Sequence, residues 1–132
     1  MIAVDTNIVV RFLVREDEKQ AELARKRLKQ AEENRERLLI PLVVILETIW
    51  VLESAYDKTR AEILDAIRAM RQMPVFEFQS NEIVERLLAD GADYNADLAD
   101  ILIAESARAF GCESGITFDK GAAKLPFFRL LK

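Results

Sequence analysis

The sequence contains no histidine in its 132 residues. Without histidine a chain cannot build Ser-His-Asp or Cys-His nucleophile systems, His-based acid-base nucleases or His-containing zinc sites. Its single cysteine, Cys112, allows no internal disulfide and fits a reducing compartment. If this protein is an enzyme, carboxylates are therefore expected to perform most of its chemistry.

Long hydrophobic runs and an excess of positive charge are also absent. The longest apolar run, PLVVILETIWVLESAY, is interrupted by Glu47 and Glu53 and is shorter than the roughly 20 apolar residues that span a bilayer. Asp5 and Arg11 interrupt the N-terminal apolar stretch, so we expect no signal peptide. The net charge of −4 argues against a broad basic surface for nucleic acid. These features predict a cytoplasmic protein without a membrane segment.

The composition is that of a globular, helix-rich protein, with 51% hydrophobic residues, 32% charged residues, 4 glycines and 3 prolines. Short apolar segments alternate with longer amphipathic ones. The first apolar segment, IAVD, is predicted to form a strand that is buried on both faces. This alternation predicts an α/β fold with three layers, α/β/α, around a central, mainly parallel sheet of four to five short strands. We expect one domain over residues 1–132.

Helix boundaries follow from capping residues, glycines and prolines. The expected helices run from Glu16 to about Arg37, from Pro41 to about Tyr56, from Thr59 to Met70, from a cap at Ser80 or Asn81 to about Gly91, and over DLADILIAESARAF up to Gly111. In parallel α/β sheets the functional crevice lies beyond the carboxyl ends of the strands. Acidic residues at those ends are therefore the first candidates for a site.

Three acids occupy unusual places in these segments. Asp5 ends the first strand and Asp119 ends a later one, SGITFD, although either could simply cap a helix or form a turn. Glu47 lies within an apolar helix, where an ionised carboxylate is costly unless it is paired or binds a cation. The alternative is that Glu47, Thr48 and Ser54 form a narrow solvated stripe.

Two more acids, Asp97 and Asp100, are three residues apart and share one face of a predicted helix. Their local alternative is capping and interaction with the helix dipole. If all five acids converge, their mutual repulsion favours a bound cation. Because the ligands would be hard oxygens without histidine, Mg²⁺ or Mn²⁺ is expected rather than zinc.

Four segments resemble, in order and spacing, the motifs of PIN-domain ribonucleases, with the greatest likeness to the VapC toxins of prokaryotic toxin-antitoxin pairs. These segments are AVDTNIVVRFLV, IPLVVILETIWVL, DLADILIAESARAFG and ITFDK. The resemblance covers essentially the whole chain.

The resemblance implies a role for individual residues. The acidic quartet of the family matches Asp5, Glu47, Asp100 and Asp119, with Asp97 as an accessory acid, and all five are expected to bind metal. Asp100 is preferred to Asp97 because it directly precedes the apolar segment ILIA. In this family polar residues orient the first and the last Asp of the quartet. Asn7, and either Thr6 or Thr117, match those polar residues here.

The resemblance also implies a metal-dependent endoribonuclease that leaves 5′-phosphate and 3′-hydroxyl ends, a homodimer and a VapB-like antitoxin. RNA must then be bound by local basic groups, for which Arg11, Arg15 and Lys120 are the candidates because they lie near the acids in sequence. The run RKRLK in the second helix is interpreted as a solvated helix face.

Other interpretations of the sequence are also possible. One is a catalytically degenerate PIN-like module that binds RNA or serves as a scaffold. Another is an aspartate-dependent phosphatase, although that chemistry needs a second Asp where this chain has Asn7. Trp50, Phe127 and Phe128 are expected in the core, with an exposed contact surface as the alternative.

Overall fold

The computed structural model describes residues 1–132, which form two compact units, Met1–Gln79 and Ser80–Lys132. Both units combine helices with parallel strands, so the predicted α/β class is confirmed. Five short strands are present, as expected, and they are divided between a three-stranded and a two-stranded sheet. None of the helices combines the length and the apolar composition that crossing a membrane requires. The single domain over residues 1–132 stays a prediction.

The first unit contains three strands and four helices. They are β1 Ile2–Ala3, α1 Thr6–Leu13, α2 Glu18–Glu33, β2 Leu38–Ile40, α3 Leu42–Ser54, α4 Arg60–Arg71 and β3 Phe76–Phe78. The strand order is β1-β2-β3 and every pair is parallel, with Ile2 opposite Leu38 and Leu38 opposite Phe76. Parallel pairing places the carboxyl ends of all three strands at the same edge of this sheet.

Side-chain caps fix where the helices of the first unit begin. The carboxylates of Asp5 and Asp17 accept hydrogen bonds from the amides three residues later, at the starts of α1 and α2. Thr59 and Glu62 form a reciprocal capping box at α4. Such caps satisfy amides that have no partner within the helix.

Several boundaries in the first unit differ from expectation. Helix α2 ends at Glu33 rather than near Arg37, because the chain turns at Arg35, whose φ is 55°. Pro41 is the N-cap of α3, with extended ψ, and not its first helical residue. Strand β1 is not buried, since Ile2 and Ala3 are both exposed and β1 pairs with β2 alone.

The second unit contains two helices and two strands: α5 Asn81–Asp93, α6 Leu98–Phe110, β4 Gly115–Thr117 and β5 Phe128–Leu130, with a short 3₁₀ turn at Ala122–Lys124. Helix α5 packs against α6, and β4 pairs in parallel with β5. Ser80, one of the two caps that the sequence allowed, caps α5 by accepting a hydrogen bond from the amide of Ile83. Gly111 closes α6 with φ of 112°, a backbone conformation that costs glycine little.

Gly91 does not stop α5, which continues to Asp93. The residue is buried within the helix. At Gly115 a Cβ atom would lie 2.8 Å from the Phe127 ring and 2.9 Å from the Phe128 ring. Glycine there allows the two rings, which meet edge to face, to approach the β4 backbone.

Candidate active site

Asp5 lies directly beyond β1 and begins α1. Its Oδ1 atom accepts a hydrogen bond of 3.2 Å from the backbone amide of Ile8, so the capping alternative is correct as far as it goes. The residue is exposed at the carboxyl edge of the sheet, where the functional interpretation also placed it. A cap uses one carboxylate oxygen, which leaves the other for a ligand.

Thr6 connects the start of α1 to Glu47 on α3. Its hydroxyl donates a hydrogen bond of 2.8 Å to Oε1 of Glu47. Helices α1 and α3 pack against each other, which brings these two side chains together. Thr6 therefore orients Glu47, and not Asp5 or Asp119 as the resemblance implied. Because Thr6 follows Asp5 in the chain, the bond also holds Glu47 beside the N-terminus of α1.

The surroundings of Glu47 differ from those predicted. Glu47 is exposed and shares its helix face with Val43 and Trp50, which are 60% and 67% exposed. Thr48 is buried instead, and its hydroxyl has no hydrogen-bond partner. Helix α3 is apolar on nearly all faces, so the sequence could not indicate which side would face solvent. The expected core position of Trp50 is wrong, whereas Phe127 is buried.

In the second unit, Asp97 and Asp100 lie at the N-terminus of α6. Asp97 occupies the N-cap position, yet its side chain makes no capping hydrogen bond, so capping does not explain it. Asp100 follows in the first helical turn and is half-buried. Burial raises the pKa of Asp100, and repulsion from Asp97 and Asp119 raises it further. These three carboxylates are thus close enough to interact.

Asp119 follows β4 in a tight turn. Its Oδ1 atom accepts a hydrogen bond of 2.7 Å from the amide of Gly121. The Thr117 hydroxyl accepts one of 3.0 Å from the backbone amide of Asp119. Thr117 therefore positions the backbone of Asp119 and does not contact its carboxylate. The turn alternative for Asp119 is correct, and it coexists with a place at the carboxyl end of a strand.

The candidate basic residues differ in what they contact. Arg11 is half-buried and donates hydrogen bonds to Gln20 at 2.6 Å and to the Tyr56 hydroxyl at 3.0 Å. Arg15 and Lys120 are exposed and form no ion pair. Asn7 is exposed as well. Arg11 thus connects elements of the first unit, while Arg15 and Lys120 can reach a ligand without breaking internal bonds.

The donor set suits a hard divalent cation, because every candidate ligand is a carboxylate. No group of three or more acidic, cysteine or histidine side chains in the chain has a metal-binding arrangement as it stands. Asp5 and Asp119 each direct an oxygen at a local backbone amide, and Glu47 accepts from Thr6. A cation bound by any of these carboxylates would compete with the hydrogen bonds that they accept now.

A second carboxyl pair was not predicted from the sequence. Glu105 of α6 is only 3% exposed, and its Oε2 atom accepts no hydrogen bond. Burial, a hydrogen bond with Asp90 of α5 and repulsion from that residue raise the pKa of Glu105 to about 7. Arg86 and Arg108 approach its oxygens at 3.8 Å and 3.6 Å. Its spacing could have indicated that Glu105 is buried, because it lies one helical turn after Ile101, which is also buried.

Two comparisons with known proteins match almost the whole chain. The model of the PIN domain family matches residues 2–128. A protein of Aquifex aeolicus (strain VF5) described as a VapC ribonuclease is 23% identical over 127 residues, which are 96% of this chain and 93% of that protein. The range matched by the family model includes all five candidate acids, from Asp5 to Asp119.

Proposed function

The chain belongs to the PIN domain family, and from this premise we propose that it is a metal-dependent endoribonuclease, the toxin of a type II toxin-antitoxin pair. The likeness to a VapC ribonuclease supports this function. The observation that carries the proposal is the electrostatic interaction of Asp100 with Asp97 and Asp119. Asp100 is half-buried and is repelled by the other two carboxylates. A bound cation would neutralise this repulsion and stabilise the ionised form of Asp100.

In this proposal Asp5, Glu47, Asp100 and Asp119 hold Mg²⁺ or Mn²⁺, with Asp97 as an accessory ligand. When bound, the cation supplies positive charge that polarises the scissile phosphate and lowers the pKa of the attacking water. Thr6 orients the Glu47 carboxylate through its hydroxyl, and Thr117 fixes the backbone that carries Asp119. A carboxylate oxygen that is not bound to the cation accepts the proton of the water.

Exposed basic groups complete the proposed substrate site. Arg15 and Lys120 contact RNA phosphates, because they are exposed and lack internal partners. Arg11, which is bonded to Gln20 and Tyr56, has the smaller part in phosphate binding. Attack by water leaves 5′-phosphate and 3′-hydroxyl ends. The proposal also includes a homodimer, a VapB-like antitoxin and action in the cytoplasm, which the family resemblance supports.

The substitution Asp5→Asn tests this function against a matched control, Asp17→Asn. Both aspartates cap a helix through the amide three residues later, at 3.2 Å and 3.0 Å. Asparagine caps about as well as aspartate, so neither variant should lose its helix. With purified protein, Mg²⁺ and a panel of RNAs, we expect Asp5→Asn to abolish cleavage and Asp17→Asn to retain it. Equal activity of the two variants would contradict the proposed role of Asp5.

A second prediction concerns Thr6. The change Thr6→Val removes the hydroxyl that donates to Glu47 and keeps the side chain nearly the same size. Loss of a group that orients a metal ligand typically costs 10–100-fold in metal affinity or activity. We therefore expect the Mg²⁺ concentration for half-maximal cleavage to rise at least about tenfold.

The control for Thr6→Val is Ser54→Ala, which removes a hydroxyl from the same helix as Glu47. The Ser54 hydroxyl donates to the Trp50 carbonyl and does not contact Glu47. Its removal should leave the Mg²⁺ response unchanged. A wild-type Mg²⁺ response in Thr6→Val would show that Glu47 needs no such support.

A further inference from the structure

Arg108, in the last turn of α6, joins this helix to the segment that leads into β5. Its guanidinium carbon lies 5.3 Å from the centre of the Phe127 ring, a distance at which an arginine is attracted to an aromatic face. Its Nε atom lies 3.6 Å from Oε1 of Glu105 in the same helix. Arg108 is thus placed between a carboxyl group of its own helix and a ring outside that helix.

Phe127 transmits this contact to β4. The Phe127 carbonyl accepts a hydrogen bond of 3.0 Å from the amide of Gly115, which is the first residue of β4. The ring of Phe127 lies so close to Gly115 that a Cβ atom added there would be 2.8 Å from a ring carbon. Because the ring leaves so little room, a shift of the ring displaces the start of β4.

Asp100 and Asp119 lie at the far ends of the two elements that Arg108 connects. Asp100 is in the first turn of α6, and Asp119 follows the last residue of β4 by two positions. Residues 111–114 connect the other ends, where α6 stops and β4 starts. Asp100 and Asp119 are nevertheless close enough to repel each other. Helix α6 and strand β4 therefore run side by side, and the contact of Arg108 lies where they are joined.

The angle between α6 and β4 sets the distance between these two carboxylates. Arg108 follows Asp100 by eight residues. That is about 12 Å along the helix axis, so a tilt of about 5° at the Arg108 end moves Asp100 by about 1 Å. Mg²⁺ requires nearly ideal octahedral geometry with oxygen ligands at about 2.1 Å, whereas Ca²⁺ accepts longer and more variable distances. Such a displacement is thus large for Mg²⁺ and small for Ca²⁺.

We propose that Arg108 is a positioning residue, which fixes α6 against β4 and thereby sets the spacing of Asp100 and Asp119 for Mg²⁺. The inference rests on the proposed metal-dependent nuclease and adds to it a residue that touches neither metal nor RNA. The contact with Phe127 carries this role, because a tilt that begins at that contact is largest at Asp100.

The competing role for Arg108 is purely structural. A cation in the last turn of a helix interacts favourably with the helix dipole, and Arg108 also faces Glu105. Lysine retains the charge for both interactions but lacks the flat guanidinium that packs on a ring. Arg86 of α5 provides the matched control, because it faces Glu105 at 3.8 Å while the cation over the Phe127 ring is Arg108.

The experiment measures binding of Mg²⁺ and of Ca²⁺ by calorimetry in metal-free, full-length wild type, Arg108→Gln, Arg108→Lys and Arg86→Gln. When a contact holds the binding arrangement, its loss raises the apparent Kd in proportion to the fall in the competent fraction. A contact of this kind favours one arrangement by about fivefold, so both Arg108 variants should bind Mg²⁺ about fivefold more weakly. Their Kd for Ca²⁺ should change by less than about twofold. We expect Arg86→Gln to bind both ions like the wild type.

Two further measurements do not depend on metal affinity. In metal-free protein the amide NMR signals of Asp119 and Gly121 should shift in Arg108→Gln and stay in place in Arg86→Gln, because only the first change releases β4. In RNA cleavage at saturating Mg²⁺, the KM for RNA should be the same in Arg108→Gln and the wild type, since Arg108 does not touch the substrate.

The outcomes separate this inference from the nuclease function. Cleavage by the wild type with unchanged Mg²⁺ affinity in Arg108→Gln would overturn the inference and leave the nuclease intact. Equal losses of Mg²⁺ and Ca²⁺ affinity, or full Mg²⁺ affinity in Arg108→Lys, would also overturn it, in favour of a structural role. A selective loss of Mg²⁺ affinity in a protein that cleaves no RNA would support the positioning role and reject the nuclease. A wild type that binds neither ion would reject both.

Discussion

Asp100→Asn is expected to lower RNA cleavage by more than about a hundredfold, since even groups that only orient metal ligands are worth 10–100-fold. The same change should not destabilise the protein. Burial and the neighbouring Asp97 and Asp119 raise the pKa of Asp100, which means that its charge opposes folding. Asparagine has the same shape without that charge.

One opposing effect is the helix dipole. Asp100 lies in the first turn of α6, where a negative charge is favoured by roughly 0.3–1 kcal/mol. Burial, and repulsion from Asp97 and Asp119, act against this benefit and raise the pKa of Asp100. We therefore expect Asp100→Asn to have a melting temperature at or above that of the wild type in metal-free buffer. Added Mg²⁺ should raise the melting temperature of the wild type more than that of the variant.

Asp93→Asn serves as the control, because Asp93 is an exposed aspartate at the end of α5 with no proposed metal contact. It should retain activity and its response to Mg²⁺. The variant Asp97→Asn shows which acid, Asp97 or Asp100, contributes more to cleavage. If it abolishes cleavage while Asp100→Asn does not, the principal ligand is Asp97 and the preference for Asp100 is wrong.

The second large effect is a loss of stability with rising pH that depends on Glu105. The pKa of this carboxyl is raised from 4.5 to about 7 in the folded protein. Between these values the unfolded chain releases the proton and the folded chain retains it, so the free energy of unfolding falls as pH rises. The slope from one such group approaches 1.4 kcal/mol per pH unit, and it vanishes above the folded pKa.

Glu105→Gln should remove this contribution. The glutamine amide can donate a hydrogen bond to Asp90, as the protonated carboxyl does, and it carries no charge to bury. Urea unfolding at several pH values between 5 and 8 should show a flatter profile for the variant, and at pH 8 the variant should be at least as stable as the wild type. Glu113→Gln, an exposed glutamate of the same unit, should keep the wild-type slope.

Two groups besides Asp90 face Glu105, and they limit the size of the effect. Arg86 and Arg108 lie at 3.8 Å and 3.6 Å and favour the ionised form, so they lower the pKa that burial raises. If Glu105→Gln fails to fold, NMR titration of the Glu105 carboxyl carbon in the wild type measures the same quantity. A midpoint near 4.5 would contradict the buried-proton interpretation.

Much of the secondary structure was predictable because local chemistry determines it. The strands at Leu38–Ile40 and Phe76–Phe78 are short apolar runs between turn residues, and Gly111 ends α6 where only a residue tolerant of positive φ fits easily. Helix α5 was expected to end at about Gly91 and continues two residues further, to Asp93. Local sequence does not distinguish a glycine that ends a helix from one inside its last turn.

The places of the candidate acids in the fold were predictable, and their contacts were less so. Asp5 follows β1 and Asp119 follows β4, each at the carboxyl end of a strand in its own parallel sheet, as the apolar runs before them indicated. The Thr6 to Glu47 bond joins residues 41 apart and depends on how α1 packs on α3, which no local pattern encodes. The exposure of Trp50 and the burial of Glu105 depend likewise on which helix face meets a neighbour.

The most direct test is RNA cleavage by metal-free wild-type protein, separated from any antitoxin, before and after addition of Mg²⁺ or Mn²⁺. We expect no cleavage in EDTA, cleavage when the metal is restored, and products with 5′-phosphate and 3′-hydroxyl ends. Cleavage that persists in EDTA, or products ending in a cyclic phosphate, would contradict hydrolysis by acids that bind a metal.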